Sequence, residues 1–177
     1  MRFIVLFVLI LTSAPALAAP VGKEQATAYY QSCLQKSTPG LSAQAQNDLC
    51  ACTAAQMMKS MSVEDIKMMG RNDQAGRNVF NKMLINVYAP CMEFPAREHY
   101  YNTCASNPQT QQMTKNPQGL CTCLADQMAS YLKKNSRAVF QDLLMRNPNM
   151  MDPMTALTDD SKFQQFAQSK LLGCAVK

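Results

Sequence analysis

Eight cysteines are the residues of this 177-residue chain whose type and spacing could most directly do chemistry. A set of this kind could form disulfide bonds, cycle as redox dithiols or hold zinc. Zinc sites usually space their cysteines as C-x2–4-C, so a C-x-C pair is tight for one tetrahedral ion. An even number of cysteines, each with an available partner, is typical of a disulfide framework. We therefore predict structural disulfides, with thiol-redox chemistry at a C-x-C as the alternative, for Cys33, Cys50, Cys52, Cys91, Cys104, Cys121, Cys123 and Cys174.

The cysteine spacing occurs twice. The first two cysteines of each set are 17 residues apart, and both sets continue as C-x-C. The flanking residues agree, since YYQSC at 29–33 resembles YYNTC at 100–104, and LCACTAAQMM at 49–58 resembles LCTCLADQMA at 120–129. The last cysteine is displaced by 12 further residues in the second set. We predict an internal duplication, with a first repeat at 19–95, a second at 96–177, and a 12-residue insertion near 146–158.

Helix geometry excludes one of the three possible disulfide pairings in each repeat and leaves two. Side chains at i and i+2 of a helix point about 200° apart. A bond inside either C-x-C would therefore break the helix that the surrounding pattern predicts. In each repeat, the first cysteine then pairs with one member of the C-x-C and the last cysteine with the other, and both arrangements remain open.

Methionine is unusually frequent, with fourteen residues and no tryptophan. Thioethers are adaptable apolar fillers and soft ligands that suit Cu(I). Met57 and Met61 share a predicted helix face with Cys50, which favours core packing. A second group lies in the predicted insertion, around Pro148 and Pro153, where no helix face explains it. We predict that this group contacts a partner protein, with Cu(I) binding or folding back over a gap between the repeats as alternatives, and it comprises Met150, Met151, Met154 and Leu157.

No residue pattern points to catalysis. His99 is the only histidine, and its neighbours favour a surface position on a helix. No nucleophile elbow, phosphate-binding glycine loop or H-E-x-x-H motif occurs, and the carboxylates are dispersed. We predict a non-enzymatic protein with no cofactor.

The sequence pattern predicts helices as the elements that position the cysteines and methionines. Apolar residues recur with helical rather than alternating period, and glycine is scarce. Asn116 followed by Pro117 is typical of a helix start. We predict an all-α fold with about four helices in each repeat and an interior that includes Phe80, Leu84, Tyr88, Phe163 and Leu171.

The first 18 residues have the layout of a secretory signal peptide. A positive Arg2 precedes nine apolar residues and an A-x-A ending at Ala18. That apolar run is shorter than the roughly 20 residues of a membrane-spanning helix, and no second long run follows. Removing Arg2 leaves 16 basic against 12 acidic side chains, a dispersed net charge of +4 that gives no reason to expect nucleic-acid binding.

These features together predict an exported, periplasmic or secreted, binding or scaffold module that contacts another envelope or secreted protein. One alternative is a methionine-rich protein that handles Cu(I) or acts as a chaperone. The other is a thiol-redox protein that uses a C-x-C.

Overall fold

The computed structural model describes residues 18–175, so the predicted signal peptide lies outside the described residues apart from Ala18. The fold is all-α, as predicted. Within these residues no β-strand forms, and the one bridge pairs Pro20 with Ser62. The helices are α1 (Lys23–Gln35), α2 (Ala43–Ser60), α3 (Val63–Met68), α4 (Gln74–Met83), α5 (Glu93–Ser106), α6 (Pro108–Met113), α7 (Pro117–Arg146), α8 (Pro153–Asp159) and α9 (Ser161–Ala175).

Several helices begin at polar side chains that accept hydrogen bonds from the first turn. The Ser42 hydroxyl oxygen accepts from the Ala45 N–H at 3.2 Å, and Ser62 and Asp65 form a reciprocal capping box. Asn116 caps α7 with Pro117 in the first turn, as predicted. These side chains satisfy N–H groups that have no partner inside the helix, which is why each helix starts where it does.

The connection from α4 to α5 remains helical but changes its hydrogen bonding. A π-helical turn covers Leu84–Tyr88, and a 3-10 turn covers Ala89–Cys91. Pro90 has no N–H to donate to the Asn86 carbonyl, and the Ser60 hydroxyl donates to that carbonyl instead, at 3.4 Å. The predicted helix end at Pro90 is therefore a change of helix type that leads directly into α5.

The main core lies around α7, which packs against α5 on one side and α9 on another. This core also includes residues of the π-helical turn and of α8. The predicted interior residues Leu84 and Phe163 are buried here, whereas Phe80, Tyr88 and Leu171 pack on its edge and are only partly buried. The largest fully buried side chain in the described part of the chain is Phe140, on α7.

A second core cluster lies where α1, α2 and α4 meet. Met57 and Met61 are buried in it, as predicted, beside Val21, Ala26 and Val79. The residues before α1 are fixed there by backbone hydrogen bonds, from the Val21 N–H to the Met61 carbonyl and from the Val63 N–H to the Ala19 carbonyl. Phe80 and Tyr88 pack against both clusters and so join them.

Four disulfides connect the helices. They decide the pairing that the sequence left open: in each set the first cysteine bonds the first member of the C-x-C, and the second member bonds the last cysteine. Each bond closes its loop before the next loop begins, at sequence separations of 17, 39, 17 and 51 residues. The bonds are Cys33–Cys50, Cys52–Cys91, Cys104–Cys121 and Cys123–Cys174, and no cysteine is free. Four disulfides are consistent with an exported protein in an oxidising environment.

The predicted insertion is ordered and largely packed, and it contains a helix that the sequence analysis did not predict. Its second half is the helix α8, because Asp152 caps the helix and Pro153 takes its first position. Met150 is 2% exposed and Leu157 is 0% exposed, both within the main core. These two side chains cover core surface and are not available to a partner.

Candidate functional site

Two clefts lie on different sides of α5, and both involve the segment that joins α1 to α2. We call the first the acidic cleft, a space of about 330 Å³ between the start of α2, α5 and α7. We call the second the His99 cleft, about 230 Å³ between the α1–α2 connection, α5 and the start of α8. Because successive helix residues turn by about 100°, a single helix can line two clefts with different side chains.

The acidic cleft receives α5 residues at i, i+3, i+4 and i+7, the spacing of one helix face. They are Phe94, Arg97, Glu98 and Tyr101. Asp48 faces them from α2. The cleft therefore combines two carboxylates with two aromatic rings.

The charges around the acidic cleft are unevenly neutralised. Arg97 is paired with Asp126 on α7 at 2.7 Å, outside the lining of the cleft. Glu98 accepts a hydrogen bond from Ser42 at 2.7 Å, and Asp48 accepts one from Gln44 at 2.9 Å. Both donors are neutral, and neither carboxylate forms an ion pair within residues 18–175. Arg97 also lines the cleft, but its guanidinium is engaged by Asp126, so Asp48 and Glu98 face the cleft without an ion pair from this part of the chain.

The rim of the His99 cleft is a tight turn in the sequence Thr38-Pro39-Gly40-Leu41. The Leu41 N–H donates to the Thr38 carbonyl at 3.1 Å, and Gly40 has a φ of +84°. Proline at the second position and a positive-φ glycine at the third are the requirements of a type II turn. Asn102 of α5 donates to the Gly40 carbonyl at 3.3 Å and holds the rim in place.

His99 projects from α5 into this second cleft and is half-buried rather than on the open surface that the sequence predicted. Its ring meets Tyr100 edge-on, with centroids 5.3 Å apart. Burial lowers the pKa of His99, which favours the neutral imidazole. No hydrogen bond joins the imidazole to any other residue in the described range.

The other walls of the His99 cleft are mostly apolar. Tyr88 lines it, and burial raises the pKa of its hydroxyl, which is hydrogen-bonded to the Tyr29 hydroxyl at 3.1 Å. Met92 also lines the cleft. It lies one helical turn before Pro95 and two turns before His99, on the same face. The walls are therefore suited to an apolar or soft ligand, with few polar groups to orient it.

The start of α8 closes the His99 cleft. Asp152 accepts hydrogen bonds from the Met154 and Thr155 N–H groups at 2.9 and 3.1 Å. Burial alone would raise the pKa of this carboxyl, but the hydrogen bonds from Thr155 and Met154 together hold it below its usual value. The cap fixes Met154, which is half-buried and lines the cleft.

The residues predicted to contact a partner are thus separated by the fold. Met154 joins His99 in a cleft, Met151 is 64% exposed, and Met150 and Leu157 are in the core. Sequence reasoning missed the His99 cleft because its walls come from positions about 38–49, 88–99 and 152–154, and no local pattern links them.

All eight cysteines are in disulfides and none is free. Across residues 18–175 no three His, Cys, Asp or Glu side chains are grouped so that they could hold a metal ion. In the same range, no helix combines the length and apolar character that crossing a membrane requires. No family model, no curated protein and no solved structure matches this chain.

Proposed function

We propose that this chain is an exported, non-enzymatic binding module, periplasmic or secreted, that holds a basic side chain of a partner protein in the acidic cleft. The observation that carries the proposal is the pair of carboxylates, Asp48 and Glu98, that face the cleft beside Phe94 and Tyr101 and form no ion pair within the described chain, because Arg97 of the same lining is paired with Asp126. The partner would belong to the same envelope or secreted compartment.

The chemistry of the acidic cleft fits a guanidinium or ammonium group. An arginine side chain can form charge-assisted hydrogen bonds to carboxylates and can stack on an aromatic face. A cation over an aromatic ring contributes about 0.5–2 kcal/mol, depending on how far it is desolvated. The module itself carries a net positive charge, so an acidic cleft is a local departure from its overall electrostatics.

Two disulfides support the preorganisation of this cleft. Cys33–Cys50 ties α2 to α1, and Cys104–Cys121 ties α5 to α7. The lining residues lie on α2, α5 and α7, so bonds that limit the movement of these helices reduce the ordering cost of binding. Ser42 adds a direct link, because its hydroxyl caps α2 and donates to Glu98 on α5.

We also infer that the module arose by duplication of a single helical unit. Equivalent cysteines pair in the same order in both halves, and the first bond of each half spans 17 residues. The second bonds differ by 12 residues, in line with an insertion in the second half. The acidic cleft combines α2 of the first repeat with α5 and α7, so it belongs to the pair rather than to one unit.

A titration followed by amide NMR tests the chemistry. N-acetyl-arginine amide should shift the backbone signals around Asp48, Phe94, Glu98 and Tyr101. The citrulline analogue, which has nearly the same shape but no charge, should not. Replacing Asp48 with Asn and Glu98 with Gln together should abolish the response to arginine. Equal responses to the two ligands, or no localised response to arginine, would refute the proposed role of the carboxylates.

Site-specific crosslinking tests whether a partner uses this cleft. A photoreactive residue at Gln44, exposed on the rim, should crosslink a protein in the exported fraction of the native cell. The same residue at Lys134, exposed on α7 and absent from the lining of the acidic cleft, is the matched control. The crosslink at Gln44 should disappear when Asp48 and Glu98 are neutralised. A crosslink that persists in that variant contradicts the proposal.

A further inference from the structure

We propose that the His99 cleft binds one Cu(I) ion through the imidazole of His99 and the thioethers of Met92 and Met154. Three side chains with soft or borderline donor atoms line this one cavity of about 230 Å³. Thioethers select Cu(I) over harder cations, and imidazole is also a copper ligand. The site is distinct from the acidic cleft and does not depend on the partner proposed there.

The position of His99 favours a ligand. It is the only histidine of the chain, and the fold brings it to the one methionine of the inserted segment that remains half-buried at a cavity. Among the described residues its imidazole has no hydrogen-bond partner. A neutral imidazole can coordinate a metal through a ring nitrogen.

Met92 and Met154 approach the cleft from separate elements. Met92 directly precedes α5, and the carboxylate of Asp152 fixes the backbone of Met154 at the start of α8. Donors supplied by different elements are positioned by the fold rather than by a flexible loop, which is what a metal site requires. The Asp152 cap also places a negative charge beside the site, favourable for a cation.

The other methionine cluster is a poorer site for copper. Met57, Met61 and Met83 belong to the second core cluster, and the only histidine of the chain does not lie there. The cysteines do not compete, because all eight are in disulfides. The His99 cleft is therefore the place in the described chain where thioethers meet an imidazole beside open space.

The test is an anaerobic titration of the mature, disulfide-intact protein with the Cu(I)–acetonitrile complex, in competition with a chromophoric Cu(I) chelator. No thiol reductant is added, so the disulfides stay closed. The wild type should retain one Cu(I) per chain. Met154→Leu and Met92→Leu, which keep the side-chain volume, and His99→Phe should each weaken binding at least tenfold. Met151→Leu, exposed in the same segment, is the matched control and should bind like the wild type.

X-ray absorption at the copper edge identifies the atoms bound to copper in the wild-type complex. This measurement tests the site even if a variant fails to fold. We expect one nitrogen and two sulfur neighbours in the first shell. A first shell without nitrogen places the copper elsewhere and overturns the proposal. So does a wild type that yields all its copper to the chelator, or a Met154→Leu variant that retains copper as well as Met151→Leu does.

Discussion

Replacing Leu157 with alanine should destabilise the protein strongly, although the sequence predicts that this residue lies in an insertion. Leu157 is 0% exposed and belongs to the main core, on the short helix α8. Burying a leucine side chain completely is worth about 1.5–3 kcal/mol. Truncation also leaves a cavity, so the total loss in free energy of unfolding should be about 2–5 kcal/mol.

The assay is thermal unfolding of the non-reduced mature protein, followed by circular dichroism. For a domain of this size, each kcal/mol lowers the midpoint by about 2–4 °C, so Leu157→Ala should melt about 4–20 °C below the wild type. Met151→Ala is the matched control, six residues away and 64% exposed. A surface substitution of this kind changes stability by no more than about 0.5 kcal/mol, or about 2 °C.

The comparison distinguishes two roles for the segment. If α8 covers core surface, Leu157→Ala melts well below Met151→Ala, and deletion of residues 147–157 lowers the midpoint even further. If the two single variants melt within a degree of each other, Leu157 does not contribute to the core, and the assignment of α8 to it is refuted.

Three further predictions concern covalent structure, pH and the cleft rim. Alkylation of the native protein should leave its mass unchanged, and reduction should expose eight reactive thiols; two or more reactive thiols before reduction would contradict four closed disulfides. Burial alone would raise the pKa of Asp160, but hydrogen bonds from Arg146 and the Phe163 N–H hold it below its ordinary 3.8. The ionised carboxylate therefore stabilises the fold above about pH 4. Asp160→Asn should melt below the wild type at pH 7, and this difference in midpoint should shrink as the pH falls below about 4; a difference that does not shrink refutes the linkage. Gly40→Ala should lower the free energy of unfolding by about 1–2 kcal/mol, because Gly40 has a φ of +84°. Gly70→Ala is the control, since Gly70 has no positive φ and has open space around it, and this variant should melt like the wild type. Equal melting midpoints for the two variants would contradict the turn geometry.

Local sequence signals predicted the helices well where a cap and a proline stood together. Asn116 and Pro117 start α7 as expected, and the same kind of signal was present at Asp152 and Pro153. No helix face was predicted for this segment, although Pro153 is the first residue of α8. The signal that identifies this helix is therefore present in the sequence.

Other features depend on tertiary packing and could not be predicted locally. The geometry of residues i and i+2 excluded a bond inside each C-x-C, but the choice between the remaining pairings depends on which helix packs on which side of α2 and α7. The environment of His99 also depends on tertiary packing, because its cleft forms where the turn at Gly40 and the start of α8 meet α5. Periodicity correctly placed His99 on a helix but contained no information about what faces it.

The order of the disulfides has a consequence for how the protein matures. The cysteines pair in consecutive order along the chain, first with second, third with fourth, fifth with sixth and seventh with eighth, with no interlocking between bonds. A chain that enters an oxidising compartment with its N-terminus first presents its thiols in this same order. Simple oxidation of each newly arrived pair then forms the native bonds, since at every step the correct partner is the next cysteine to emerge. Such a chain needs an oxidase for maturation but no isomerase to exchange mispaired bonds.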